Sequence, residues 1–169
     1  QRVADISKTR KAAVIATEAT VASHAYQKAL ARLGIVAAEK ACPLLVPLVE
    51  EGWTEHPVTE QVAHIYLDEI FNDGARGADV LMLGCTHYPL LSPLLRRVAP
   101  PAVQIVDSAE CTARQVAGQI GTISQSAGTL RYFATDSVEK FRRLGSRFLG
   151  RAIEKVELID IEDRVVDER

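Results

Sequence analysis

The stretch Leu81–Leu91, LMLGCTHYPLL, decides the fold of this chain. An apolar run ends at Gly84. Cys85, Thr86 and His87 follow, and beyond Tyr88 and Pro89 a second apolar run begins. The first run reads as a buried strand and the second as a helix that packs back on it. A thiol at that junction meets the unpaired N–H groups of a helix start, which favour an anion. His87, two residues on, is placed to move protons or steady charge. The same residues also read as a small buried cysteine beside a loop histidine, since free Cys is among the most buried residue types. The Gly–Cys–Thr–His order at a strand end favours the chemical reading.

Working outward, strand-like runs alternate with helical patterns. Upstream lie a buried strand at Ala12–Thr17, a helix at Val21–Leu33 closed by Gly34, and a strand at Ile35–Cys42. Pro43–Trp53 is a loop or short helix with two prolines, and Thr59–Phe71 a helix ended by Asn72-Asp73-Gly74. Val80–Gly84 is the central strand, followed by a helix at Leu90–Val98 despite Pro93 and a strand at Val103–Val106. Ser108 reads as the N-cap of Ala109–Ile120, and Gly121–Gly128 as a loop. Beyond it come a strand (Thr129–Ala134), a helix (Ser137–Leu149) and a strand (Val156–Ile161). This alternation predicts an α/β fold with a parallel sheet flanked by helices.

At 169 residues, 47% apolar and 25% charged, the composition is that of an ordinary soluble chain able to form a core. A net charge of −2 gives no electrostatic case for nucleic acid or an anionic membrane. Charged residues interrupt every apolar run well short of a membrane span. The three cysteines are far apart and odd in number, which suits a reducing cytoplasm better than a disulfide framework.

In open parallel sheets, ligands bind at the carboxyl ends of the strands. Three features fall there: Thr17 and Thr20 after the first strand, Glu50 beyond the second, and Cys85–His87 after the central one. A Thr before a helix is ordinarily an N-cap, yet a hydroxyl-bearing helix start also seats a carboxylate. Glu50 and Glu51, taken alone, read as surface charge. Cys42 before Pro43 reads as structural, and Cys111, inside a helix, as inert. His24, His56 and His64 have no metal-ligand spacing, and no phosphate-binding loop is present. Nothing in the chain requires a cofactor.

GCTHYPLL at Gly84–Leu91 resembles the second cysteine motif of glutamate racemases, in the aspartate/glutamate racemase superfamily. VIATEATVASHAY (Val14–Tyr26) resembles that family's Thr-rich strand-to-helix segment, and ACPLLVPLVEEG (Ala41–Gly52) its Cys–Pro, Val–Pro–Leu–Val–Glu segment. The resemblance covers nearly the whole chain. It implies Cys85 as catalytic thiol, assisted by His87 and Glu50, with Thr17, Thr20, Thr86 and His87 holding the substrate. It implies no cofactor and no metal. The family's chain runs roughly a hundred residues longer at its N-terminus, where the first of its two α/β domains begins. A first catalytic cysteine lies there, so the chain reads as the C-terminal part of a racemase.

The resemblance further divides the chain into a complete second α/β domain at 10–106 and, at 107–169, the returning segment of an incomplete first domain. The expected function is interconversion of L- and D-glutamate by two thiols, supplying D-glutamate for peptidoglycan in a bacterial cytoplasm. The expected partners are glutamate, the missing N-terminal part and a possible second copy, with neither nucleic acid nor membrane. The isolated chain is expected to be inactive or nearly so. Two alternatives stay open: a superfamily enzyme acting on aspartate, hydantoins or arylmalonates, and a non-catalytic or regulatory scaffold.

Overall fold

A computed structural model describes residues 1–120 and 128–160. The chain divides after residue 122 into two compact units. In the first, β1 (Lys11–Ala16), β2 (Val36–Ala41), β3 (Val80–Leu83) and β4 (Gln104–Asp107) form one parallel sheet in the order β2–β1–β3–β4. Ala13 of β1 pairs with Ala38 on one side and Leu81 on the other, and Leu81 pairs with Ile105. The helices are α1 (Arg2–Ile6), α2 (Glu18–Ser23), α3 (Ala25–Ala31), α4 (Leu45–Glu50), α5 (Pro57–Asn72), α6 (Ser92–Val98) and α7 (Ser108–Ile120). A 3-10 turn at Tyr88–Leu91 precedes α6. The parallel α/β class is the one the alternation predicts.

The central strand β1 is buried from Ala12 to Ala16. Successive side chains point to opposite faces of a strand. Ala13 and Ile15 therefore join Leu81 and Leu83 in a core closed by Leu45, Val49, Leu67, Leu94 and Leu95. Ala12 and Val14 join Val3, Leu30, Val80 and Val106 in a second core. A strand covered on both faces reads as a continuous apolar run rather than an alternating one. Each buried leucine of these cores contributes about 2 kcal/mol.

The elements depart from the sequence expectations in local ways. The Val21–Leu33 helix breaks at His24, whose φ of 52° is left-handed. Glu39 on β2 holds the break: one carboxylate oxygen lies 2.9 Å from His24 Nδ1, and the other accepts from Gln27 N–H at 3.1 Å. Gly34, at φ 69°, turns the chain out of α3 as expected. Helix α7 begins at Ser108 itself, and Asp107 rather than Ser108 supplies the capping oxygen, accepting from Ala109 N–H at 2.7 Å. Pro93 stands in the first turn of α6, where its missing N–H leaves no bond unmade.

In the second unit β5 (Phe133–Ala134) and β6 (Glu157–Leu158) pair in parallel, joined through α8 (Val138–Leu149). Ser137 caps α8, accepting from Lys140 N–H, and Gly150 ends it at φ 63°. Ile153 packs onto α8 where Gly145 leaves room, since a Cβ there would lie 2.7 Å from Ile153 Cδ1. Both strands are shorter than the sequence suggests: only two residues of each pair, and among the described residues each strand has one partner. Among the described residues of this unit only Ala134 and Ile153 are buried, and Phe141, Phe148 and Leu149 of α8 are exposed. Residues 121–127 of the expected Gly121–Gly128 loop, and Ile161 of the last strand, lie outside the described residues.

Candidate active site

From β1 the chain runs out to β2 on one side, then returns to β3 on the other. The order reverses between β1 and β3, and a crevice opens beyond their carboxyl ends at such a point. Ile15 pairs with Leu83, and Gly84 N–H donates to Ile15 O at 2.8 Å. Thr17 and Cys85 each follow two residues later, so they leave adjacent strands at the same level. Gly84 is required there: a Cβ would sit 2.9 Å from the Tyr26 ring and 3.1 Å from Ile15 O.

Thr17 is the N-cap of α2. Its Oγ1 accepts from Thr20 N–H at 3.4 Å and lies 2.9 Å from Thr20 Oγ1, so the two hydroxyls stand together, partly exposed. β2 ends at Ala41, and Cys42 and Pro43 lead into α4, whose last residue is Glu50. Glu50 Oε1 lies 3.4 Å from His87 Nε2, each side chain about a quarter exposed. On the other side of that imidazole, Thr86 Oγ1 is 3.5 Å from Nδ1. Cys85 is buried in the core on the α4–α6 side, and its carbonyl accepts from Tyr88 N–H at 3.2 Å, which forms the turn after the thiol. Pro89 shapes the next turn into a 3-10 rather than an α start.

The cysteines stand in different settings. Cys42 is fully buried with Sγ 3.7 Å from Lys40 O, and burial pushes its thiol up to about 12 despite the Lys40 charge, so it stays protonated. Cys111 packs on α7 against the core on the opposite face. His56 caps α5 and stacks on Trp53, and His64 lies 3.9 Å from Asp68. Among the described residues no group of three or more His, Cys, Asp or Glu is placed to hold a metal ion, and no helix is long and apolar enough to cross a membrane.

One residue of the rim escapes the sequence reading. Tyr88 is fully buried, and its hydroxyl lies 3.1 Å from Ala16 O and 2.9 Å from Cys42 O, joining the ends of β1 and β2. Burial raises the phenol far above its ordinary range, so the group serves as a hydrogen-bond donor. The available signal was a tyrosine inside an apolar run, because a buried Tyr needs a partner for its hydroxyl.

The family model described as Asp/Glu/Hydantoin racemase matches residues 3–116. The chain is 55% identical to a glutamate racemase of Koribacter versatilis, over 94% of this chain and 63% of that protein. It is also similar to the crystal structure of a glutamate racemase isoform from Bacillus anthracis, with a TM-score of 0.81 and 30% identity over 95% of this chain and 61% of that one. The Francisella tularensis glutamate racemase, solved in complex with D-glutamate, aligns with a TM-score of 0.75 and 28% identity over 94% of this chain and 61% of that one. The chain thus spans about three fifths of the length of these relatives.

Proposed function

This chain belongs to the Asp/Glu/Hydantoin racemase family, and on that footing we propose that it carries one half of the catalytic apparatus of a glutamate racemase. The thiolate of Cys85 takes the Cα proton of L-glutamate: the S–H bond forms as Cα–H breaks, and the electron pair spreads into the carboxylate. A second thiol, assigned to the portion of the relatives that this chain does not cover, gives its proton to the opposite face and yields D-glutamate. In the reverse direction Cys85 is the acid. The two proton transfers need no cofactor.

His87 and Glu50 set the charge and protonation of the thiol. Thr17, Thr20, Thr86 and His87 hold the α-carboxylate and α-amino groups, and hydroxyl and backbone donors steady the planar carbanion. Exclusion of water between two halves of the site strengthens each of these interactions. Cys42 is unsuited to be the second thiol, being fully buried where desolvation disfavours the thiolate it would have to become. The product would serve peptidoglycan synthesis in a bacterial cytoplasm.

The Glu50–His87 pair, brought together at the strand end that presents Cys85, is the observation that supports this reading most. The test is Cα deuterium incorporation from D2O into L- and D-glutamate, with the chain alone and with the N-terminal two fifths of the Koribacter versatilis relative supplied. Alone, exchange is absent or confined to one enantiomer. With the added half both enantiomers exchange, and Cys85→Ser abolishes it. Exchange that survives Cys85→Ser, or that enters both enantiomers equally in the chain alone, overturns the proposal. No exchange under any condition favours a non-catalytic scaffold.

A further inference from the structure

We propose that Tyr88 is a positioning residue whose buried hydroxyl sets the geometry of the Glu50–His87 pair. The inference rests on that pair belonging to the site described above, and it follows from a closed ring of contacts. Tyr88 O–H reaches Cys42 O at 2.9 Å. The same carbonyl accepts from Leu45 N–H at 3.2 Å, the bond that opens α4. Five residues later α4 ends at Glu50, whose carboxylate lies 3.4 Å from His87 Nε2. His87 is joined to Tyr88 by a peptide bond, and its carbonyl accepts from Leu90 N–H at 3.2 Å, fixing the turn.

Within this ring the peptide link is covalent and α4 is a hydrogen-bonded rod packed directly on the 3-10 turn. Only two links are soft: the hydroxyl on Cys42 O and the carboxylate on the imidazole. Loosening the hydroxyl lets α4 slide on the apolar contact it makes with the turn, and the carboxylate at its far end shifts with it. The hydroxyl also lies 3.1 Å from Ala16 O, the residue before Thr17, so the ring is anchored to the strand that presents the threonines. A phenol this buried, flanked by two carbonyls, has no route to water once they are lost, which makes its placement stiff.

The test reads the pair directly by the imidazole nitrogen resonances of the 15N-labelled full chain. Glu50→Gln defines the His87 Nε2 position without the carboxylate. Tyr88→Phe, which keeps the ring and removes the hydroxyl, is expected to move His87 at least halfway to that position while His24 and His64 stay put. Val49→Ala weakens the same core with the hydroxyl intact and is expected to leave His87 unmoved. An unmoved His87 in Tyr88→Phe, or an equal shift in Val49→Ala, overturns the proposal. Should Tyr88→Phe not fold, coupling is reciprocal: Glu50→Gln must then speed exchange of the Tyr88 hydroxyl proton and the Leu45 amide at least threefold, and unchanged exchange overturns it. Absence of deuterium exchange from glutamate in the complemented native chain, with these resonances behaving as expected, strikes the racemase reading and leaves the positioning role standing.

Discussion

Thr17 and Cys85 emerge from neighbouring parallel strands at one level, because Ile15 is the register partner of Leu83. A hydroxyl that already caps α2 thereby stands at the same strand ends as the thiol. Thr17→Ala is expected to cost about 1 kcal/mol as a lost cap, seen as a Tm lower by about 3 °C, and to weaken glutamate binding. Thr17→Asn restores a capping oxygen and the Tm, but not the binding. Calorimetry beside substrate titration separates the two roles.

Glu50→Gln removes the charge facing His87 and keeps the shape of α4. The pair is partly exposed, so stability should change little. Exchange at the glutamate Cα, measured in the chain complemented with the racemase half, is expected to slow by about a hundredfold or more.

Asp79 ties the start of β3 to the link between α1 and β1. Its carboxylate accepts from Ser7 O–H at 2.6 Å, Lys8 N–H at 2.6 Å and Thr9 N–H at 3.0 Å. Partial burial works against the charge, but these bonds outweigh it and hold the carboxyl down at about 2. A depressed folded value means stability that is complete above about pH 4 and lost as the pH falls toward 2. Acid titration of Asp79→Asn by circular dichroism should show a flatter loss across that window than the native chain.

Cys42 behaves oppositely. Its thiol stays protonated in the folded chain to about 12, whereas the unfolded chain releases that proton near 9. The stability it contributes is present below pH 9 and declines as the pH rises toward 12. Denaturant titrations at pH 8 and 10.5 should show a smaller alkaline loss in Cys42→Ala. Iodoacetamide at pH 8 should label Cys111 well before Cys42, as read by peptide mass.

Residues 108–120 and 128–160 should exchange backbone amides quickly. No residue of α7 or α8 is buried, and the paired strands of the second unit are two residues long. Exposed apolar side chains such as Val116, Phe141 and Phe148 invite association. Strong hydrogen-exchange protection across these residues in a monomer would contradict that expectation.

The sequence made the parallel sheet legible because β1 from Ala12 onward and all of β3 are apolar, as strands covered on both faces must be. Thr17, Thr20 and Cys85–His87 stand out as candidates because they follow strand ends, whereas Glu50, at the far end of α4, drew notice through the family resemblance. The sequence did not show what depends on residues far apart in the chain. The break at His24 is held by Glu39 from β2, and no local preference for a left-handed histidine announces it. Asp107 displaced Ser108 as cap because β4 ends one residue later than its apolar pattern suggests. Tyr88 looked like one more apolar residue of its run, and only the meeting of two strand ends reveals where its hydroxyl goes.

The crowding at Gly84 bears on how this rim can change over generations. Any heavier residue there meets the Tyr26 ring and the β1 backbone before it can reach the crevice. A library randomised over positions 84–87 and sorted only for soluble, folded chains would still return glycine at 84, while 86, exposed to solvent, drifts freely. Invariance at 84 among descendants would then record the closeness of two strands, and would persist in lineages that had abandoned the chemistry altogether.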